Sequence, residues 1–285
     1  MKRFGKIMLV LICVFLAAGL GLSAAGIAMG AGMKDVEIPA NIGNGVRHLS
    51  DIVILNGNWP GSDEDESKTS ESGTKAYQMN PVREIELDVD AGEVLFQETD
   101  DSKMKVEITG SSSDQVKVES SSDKLSIKTQ GTRVGVRNGI TINVFYPKNT
   151  AFEKMELCVS AGSLSLEGSF SAKELKVENG AGEVRTTAEI TAEKLDVEVG
   201  TGEAEITGLT VREIDAECGI GSLKLGVRGE ESDYNYSLEC GIGSVSVNGR
   251  SYSGLGKEED IRNAGAEGTI SLECGIGEIE LVFEK

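Results

Sequence analysis

A glycine-centred repeat recurs seven times in this chain of 285 residues, each time joining two short runs of alternating apolar and polar residues. The copies read DVDAGEVLF, CVSAGSLSL, VENGAGEVR, VEVGTGEAE, AECGIGSLK, LECGIGSVS and LECGIGEIE. The last glycine of each copy is its anchor, which gives Gly92, Gly162, Gly182, Gly202, Gly221, Gly243 and Gly277. From Gly162 to Gly243 the anchors are about 20 residues apart. Such a period predicts one supersecondary unit per repeat.

Apolar residues recur at fixed distances from the anchor glycine. The positions seven and three residues before it, and two and four residues after it, are mainly apolar, whereas Glu, Asp, Ser, Lys and Arg lie between them. The column three residues before the anchor contains Val89, Val159, Asn179, Val199, Cys218, Cys240 and Cys274. A period of two on both sides of the glycine is typical of strands. Each repeat therefore predicts a strand, a glycine bend and a second strand.

Stacking is the expected way for these repeats to bury their apolar faces, because a lone pair of strands cannot do so. Glycine suits the bend because positive φ angles and crowded backbones exclude other residues. We therefore expect an all-β fold, a β-solenoid or stacked β-strand repeat domain. The alternative is an antiparallel sandwich with glycine-rich turns. Further alternating runs between Met104 and Tyr146 are expected to begin the stack or to cap it.

The second half of the chain carries a family resemblance. ITINVFYP, from Ile140 to Pro147, precedes serial units of the form L-x-V-x-x-G-x-G-E-V. From about Val82 to the C-terminus this pattern resembles the DUF4097 family of candidate bacterial adhesins with β-strand repeats. The resemblance implies a cell-envelope protein with an adhesive or regulatory role and implies no catalytic residues. The chain departs from a regular array where Gly92 stands far from Gly162 and where an insertion separates Gly243 from Gly277.

The N-terminal segment from Ile7 to Ala31 is apolar and uncharged. At about 1.5 Å per residue it is long enough, as a helix, to cross a hydrocarbon core about 30 Å thick. Lys2, Arg3 and Lys6 precede it and predict a cytoplasmic N-terminus with an exported remainder. We expect a retained signal-anchor, a single-pass transmembrane helix in the cell membrane. The alternative is a signal peptide cleaved near Ser23–Ala25.

The region between this segment and the repeats is dominated by a polar, acidic run at residues 61–75. Its composition cannot bury enough apolar surface to offset the entropy of ordering, so we expect a flexible stalk. The predicted organisation is therefore a membrane anchor at residues 1–32, a flexible acidic linker at 33–80 and a β-repeat domain at 81–285.

The charge balance excludes one class of partner. Lys and Arg total 28 against 47 Asp and Glu, a net charge of −19. Nucleic acid is not expected to bind, because a polyanion requires a basic surface. His48 is the only histidine, so the usual histidine-based zinc sites and catalytic triads are not expected. We predict no catalytic, cofactor-binding or metal-binding residues and no cofactor.

Three cysteines share one column of the repeat. Cys218, Cys240 and Cys274 replace the valine of earlier copies, and we expect them to form a buried column of thiols in successive rungs. A disulfide is the alternative, but side chains stacked in one column point the same way, which opposes the required torsion. Cys158 is one position out of this column, on the outer face.

Acidic residues form a second column, four residues before the anchor. It contains Asp88, Cys158, Glu178, Glu198, Glu217, Glu239 and Glu273. Like charges in neighbouring strands repel, so this face predicts either a solvated, solubilising surface or weak binding of calcium or a cationic envelope polymer.

The longest interruption of the repeat runs from Asn248 to Gly268 and is interpreted as a contact site or as a tolerated surface loop. The sequence as a whole predicts a non-enzymatic, membrane-anchored extracytoplasmic protein that binds an unidentified protein or polymer of the envelope or surface. One alternative is an envelope-stress or signalling accessory protein that acts through its anchor. A second is a glycan-active β-helix enzyme, which the lack of carboxylates in the inner columns disfavours.

Overall fold

A computed structural model describes residues 54–56, 74–110, 115–129, 139–253 and 255–284. All of them belong to one compact unit, Asp51–Lys285. The described residues form an open sheet of 15 strands and one short 3₁₀ turn at Glu231–Asp233. The all-β prediction is confirmed.

The strands are labelled in chain order. Their bounds are β1 Ile54–Asn56, β2 Lys75–Met79, β3 Glu84–Val89, β4 Gly92–Thr99, β5 Met104–Thr109, β6 Val116–Ser120, β7 Lys124–Thr129, β8 Thr141–Pro147, β9 Ala151–Leu166, β10 Ser169–Thr186, β11 Glu189–Arg228, β12 Tyr234–Val247, β13 Arg250–Ser253, β14 Lys257–Ile261 and β15 Gly268–Glu284.

Each repeat is one rung with two arms that meet at the anchor glycine. β9 and β10 pair in parallel, with Gly162 opposite Gly182. β11 pairs with β10 through Gly202 and then continues into a second rung, whose Gly221 lies directly against the Gly202 carbonyl. Corresponding positions of the repeats therefore lie next to one another, as the constant columns of the sequence predict. The stacked arrangement is confirmed for these rungs, and the antiparallel sandwich is not found there.

The spatial order of the last rungs differs from their order in the chain. β15 pairs with β11 through Gly221 and Gly277, and it pairs with β12 through Gly243 and Gly277. The last repeat is therefore inserted between the fifth and the sixth. The three cysteine repeats occupy adjacent rungs, as expected, although their spatial order is not their order in the chain. The outer edge of β12 is already occupied by β13 and β14, so β15 pairs with the inner edge.

Both ends of the stack carry additional strands. At one end the spatial order of paired strands beyond β4 is β8, β5, β2 and β1. Beyond β3 the order of paired strands is β7 and β6. The runs between Met104 and Tyr146 thus extend the stack, as predicted. β1 and β2 also join this sheet, although the sequence interpretation begins the domain at residue 81.

The apolar columns of both arms face each other and form one continuous core. Tyr146, Phe152 and Phe170 pack edge to face within it, with ring centroids 5.7 to 6.1 Å apart. The Tyr146 hydroxyl donates a hydrogen bond to the Glu167 carbonyl oxygen. Because the core lies between the arms, the alternate residues of every arm face outward.

The predicted membrane segment at residues 7–31 lies outside the described residues. Within the described part of the chain, no helix has the length and apolarity required to cross a membrane.

Candidate interaction surface

The outer face of the first arms displays the acidic column in register. Asp88, Cys158 and Glu178 lie opposite one another in three neighbouring strands. Glu178 lies opposite Glu198, and further along the stack the order is Glu217, Glu273 and Glu239. The rungs of a sheet are about 4.8 Å apart. The column predicted from the sequence is therefore a row of carboxylates along the stack, in which one position is occupied by the thiol of Cys158.

Lysines compensate the half of this face that lies nearer β3. Lys124 and Lys128 Nζ lie 2.8 and 2.5 Å from the carboxylate oxygens of Glu86. Their hydrogen bonds hold the pKa of Glu86 below its ordinary value. Lys176 pairs with Glu178 and lies 3.2 Å from Glu198. Hydrogen bonding from Lys176 likewise lowers the pKa of Glu178.

The half of the face nearer β12 has no such compensation. Among the described residues, Glu217, Glu239 and Glu273 form no ion pair. Burial raises the pKa of Glu217 to about 7, with repulsion from Glu273, Glu198, Asp215 and Asp196 adding to the effect. Burial, followed by repulsion from Glu239 and Asp215, also raises the pKa of Glu273. This end of the row therefore carries a concentrated negative potential.

The three cysteines of the inner column are buried, as predicted. Their spatial order is Cys218, Cys274 and Cys240, and all are free thiols. Burial raises the pKa of Cys218 to about 11. A thiol with a raised pKa is a poor nucleophile and a poor metal ligand at neutral pH. These side chains fill the position that Val159 and Val199 occupy in other rungs.

Cys158 lies on the outer face, as predicted, beside a depression of about 240 Å³. Its thiol is hydrogen-bonded to Glu178, and burial together with this carboxylate raises its pKa to about 11. Asp88, Glu156 and Lys176 line the same depression. The thiol is therefore held in its protonated form.

Asn179 is an exception in the core. It is 2% exposed, and it lies between Val159 and Val199 in the column of inward-facing residues. Neither the oxygen nor the nitrogen of its side-chain amide has a hydrogen-bond partner among the described residues. Burial of an unpaired amide costs about 1 to 3 kcal/mol.

The insertion from Asn248 to Gly268 is part of the sheet. β13 pairs antiparallel with the second arm of β12, and β14 pairs antiparallel with its first arm. The Asn263 amide then donates hydrogen bonds to the carbonyl oxygens of Glu231 and Tyr234. The insertion therefore caps the edge of β12, a structural role that the sequence interpretation missed.

The described residues contain no group of three or more His, Cys, Asp or Glu side chains arranged to hold a metal ion. Weak calcium binding by the acidic face stays a prediction. His48 lies outside the described residues. The outer carboxylates are arranged in rows along the stack and do not converge on one point, an arrangement that suits contact with an extended partner.

Two-armed rungs in parallel register define a β-repeat protein of the stacked class. The family model described as Toastrack DUF4097 matches residues 82–227, about half of the chain, and the chain belongs to this family. The structure extends the same rung register beyond the matched range, through β12 and β15. The resemblance found in the sequence is thus confirmed.

Solved structures that align with this chain include three bacterial proteins. A candidate cell adhesion protein from Clostridium sporogenes is 18% identical, with a TM-score of 0.39 and coverage of 74% of this chain and 100% of its own. A candidate adhesin from Bacteroides fragilis is 14% identical, with a TM-score of 0.39 and coverage of 73% and 95%. A candidate lipid-binding protein from Parabacteroides distasonis is 12% identical, with a TM-score of 0.31 and coverage of 74% and 97%. No curated protein matches the chain, so the family assignment rests on the Toastrack match.

Proposed function

We propose that this chain is a non-enzymatic, extracytoplasmic interaction platform, held at the cell membrane by residues 7–31. In this proposal the stacked rungs from β3 to β15, called the rack below, display a rigid outer face. This face binds a protein or polymer of the envelope or of another surface. The apolar run at residues 7–31, with three basic residues before it, supports export with a retained anchor.

The observation that carries the proposal is the register of the rungs. Parallel pairing places Glu178 opposite Glu198 and Glu217 opposite Glu273, so that equivalent outward side chains form rows along the stack. A row presents the same group at a constant spacing of about 4.8 Å. Repeat proteins use such extended surfaces to bind partners.

The location is tested by protease treatment of intact cells followed by membrane fractionation of the full chain. We expect the protein in the membrane fraction, with its repeat domain accessible to external protease. A variant lacking residues 7–31 serves as the control and should be neither exported nor membrane-bound. Full protection of the intact chain in unbroken cells, or its recovery uncleaved in the soluble fraction, would refute the proposed location.

A further inference from the structure

The pentapeptide Glu-Cys-Gly-Ile-Gly occurs three times, at Glu217–Gly221, Glu239–Gly243 and Glu273–Gly277. The structure places the three copies in adjacent rungs, with the last copy in the middle. Cysteine faces the core, and the two glycines form the bend. The isoleucine lies at the corner, outside the core, so that three isoleucines are neighbours there: Ile220, Ile276 and Ile242.

Leu255, which lies between β13 and β14, extends this line by one residue. The antiparallel register that pairs Ser244 with Ser253 and Cys240 with Lys257 places Leu255 opposite Ile242. A hydrogen bond from the Gly256 amide to the Gly241 carbonyl oxygen, 3.1 Å long, fixes this turn against the corner. We call the line of Ile220, Ile276, Ile242 and Leu255 the apolar ridge.

Two residues of the apolar ridge are strongly exposed, whereas Ile220 and Ile276 are partly buried. Ile242 is 57% and Leu255 85% accessible, and they are the only exposed large hydrophobic residues in the described part of the chain. Folding does not require them, because Ala161, Ala181 and Thr201 occupy the same column in rungs that stack in the same way. Clustered exposed apolar side chains are typical of binding surfaces.

The charges beside the ridge indicate which partner fits. Glu217, Glu273 and Glu239 lie three residues before the three isoleucines, in the same strands, and form no ion pair among the described residues. A second copy of the chain, docked ridge to ridge, would bring two such rows together. Lys or Arg beside aliphatic side chains would satisfy both the apolar ridge and the acidic row.

We propose that the apolar ridge and the row of Glu217, Glu273 and Glu239 form a docking site for a basic amphipathic helix of a partner protein. This inference rests on the proposed function of the rack as an interaction platform. A helix that lies along the stack presents one apolar side chain per turn, which is a spacing of about 5.4 Å. The ridge presents one residue per rung, which is a similar spacing of about 4.8 Å. About ten helical residues span the four ridge residues, and the basic face of the helix then lies over the glutamates.

The test uses the full chain in a nonionic detergent and a fluorescent 18-residue Leu/Lys helix as the probe, with empty micelles as the blank. We expect the wild type to bind the probe and to bind a scrambled peptide of the same composition at least about tenfold more weakly, because scrambling removes the apolar stripe. Replacing Ile220, Ile276, Ile242 and Leu255 with Thr, the residue found at position 201, should weaken binding at least about tenfold.

The electrostatic part is tested by Glu217→Gln, Glu273→Gln and Glu239→Gln combined. We expect binding about three- to tenfold weaker and less sensitive to salt. The matched control is Glu174→Gln, Glu193→Gln and Glu213→Gln, which removes the same charge elsewhere on the arms and should leave binding nearly unchanged. Thermal unfolding of each variant checks that the rack is intact.

Three outcomes would overturn the inference. The first is that the wild type and the threonine variant bind the probe with equal affinity. The second is that both glutamine variants lose the same amount of affinity for the probe. The third is that the wild type forms a dimer and that the threonine variant does not. The last result would assign the ridge to a second copy. The proposed location is tested separately by protease treatment of cells, so it would survive a failure of the helix to bind.

Discussion

At each corner of the rack, a glycine approaches the next rung more closely than a side chain permits. A Cβ atom added at Gly221 would lie 1.8 Å from the Gly202 carbonyl oxygen, and at Gly277 it would lie 1.9 Å from that of Gly221. The requirement for glycine at these anchors therefore has two causes, the positive φ angle and the contact between backbones.

Gly221→Ala should abolish stable folding or reduce the free energy of unfolding by more than about 4 kcal/mol, because the methyl group meets backbone that cannot move away. Gly229→Ala is the matched control. Gly229 has a φ angle of +127°, close to the +140° of Gly221, but its added Cβ would meet only Asp233, at 3.6 Å. It should cost only about 1 to 2 kcal/mol. Urea unfolding that gave similar losses for both variants would contradict the close-contact explanation.

Asn179→Val should stabilise the protein by about 1 to 3 kcal/mol, because it removes a buried amide without a partner and completes a column with Val159 and Val199. The reverse substitution, Val199→Asn, should destabilise by a similar or larger amount. Chemical denaturation measures both. A loss of stability in Asn179→Val would indicate that the amide has a favourable role in the folded state.

Glu217 should make stability depend on pH. Its pKa is raised to about 7 in the folded protein, so between pH 4.5 and 7 the folded state binds more protons than the unfolded state. Stability should therefore fall as pH rises through this window, by about 1 kcal/mol after allowance for solvent screening. Glu217→Gln should flatten the profile and raise the melting temperature at pH 8. If the dependence of stability on pH were the same in Glu217→Gln as in the wild type, Glu217 would be ruled out as the source of that dependence.

At the scale of elements, the alternating pattern was sufficient to predict the strands of the rungs and the bends at their glycines. It could not predict that β15 lies between β11 and β12, because identical columns fit equally well in either order. The order is determined by the insertion, which folds back as β13 and β14. Their short, charged sequences, such as Lys257–Ile261 (KEEDI), lack the alternation from which strands are recognised.

The strand β2 illustrates a second limit of the sequence. Lys75–Met79 follows an acidic run and was assigned to the linker, yet it pairs antiparallel with β5. Its place is defined by a non-local partner and by burial of one side chain, Ala76. A pattern of one small buried residue is too weak to predict a strand.

The cap formed by β13 and β14 should protect the outer edge of β12. Replacing Glu258 and Glu259 together with proline should prevent β14 from pairing, because two adjacent prolines remove the amide that faces β12. We expect a lower melting temperature and concentration-dependent self-association, measured by light scattering, since an exposed edge pairs with other edges. Serine at both positions removes the same charges but retains pairing and should remain monodisperse. Association of both variants would assign the effect to charge.

At the scale of the whole molecule, the chain carries a net charge of −19, and lysines compensate the two halves of the acidic row on the stacked rungs unequally. Lysines pair with the acidic row near Glu86 and Glu178, whereas Glu217 and Glu273 repel each other. The sequence was sufficient to assign Cys218, Cys240 and Cys274 to the core and the glutamates of the acidic column to the surface. It could not separate the paired half from the unpaired half, because that distinction depends on which rungs are neighbours.

The order of the last rungs brings the three Glu-Cys-Gly-Ile-Gly copies into one surface. Nitroxide labels placed in pairs at Ser222→Cys, Glu278→Cys and Ser244→Cys, in a chain whose 5 native cysteines are replaced, test it by dipolar broadening of the electron spin resonance spectrum. Glu278 lies opposite both Ser222 and Ser244. We expect strong broadening for 222 with 278 and for 278 with 244, and weaker broadening for 222 with 244, which are two strands or about 10 Å apart. Strong broadening for 222 with 244 together with weak broadening for 222 with 278 would mean that the repeats stack in chain order and that the last repeat does not lie between the fifth and the sixth.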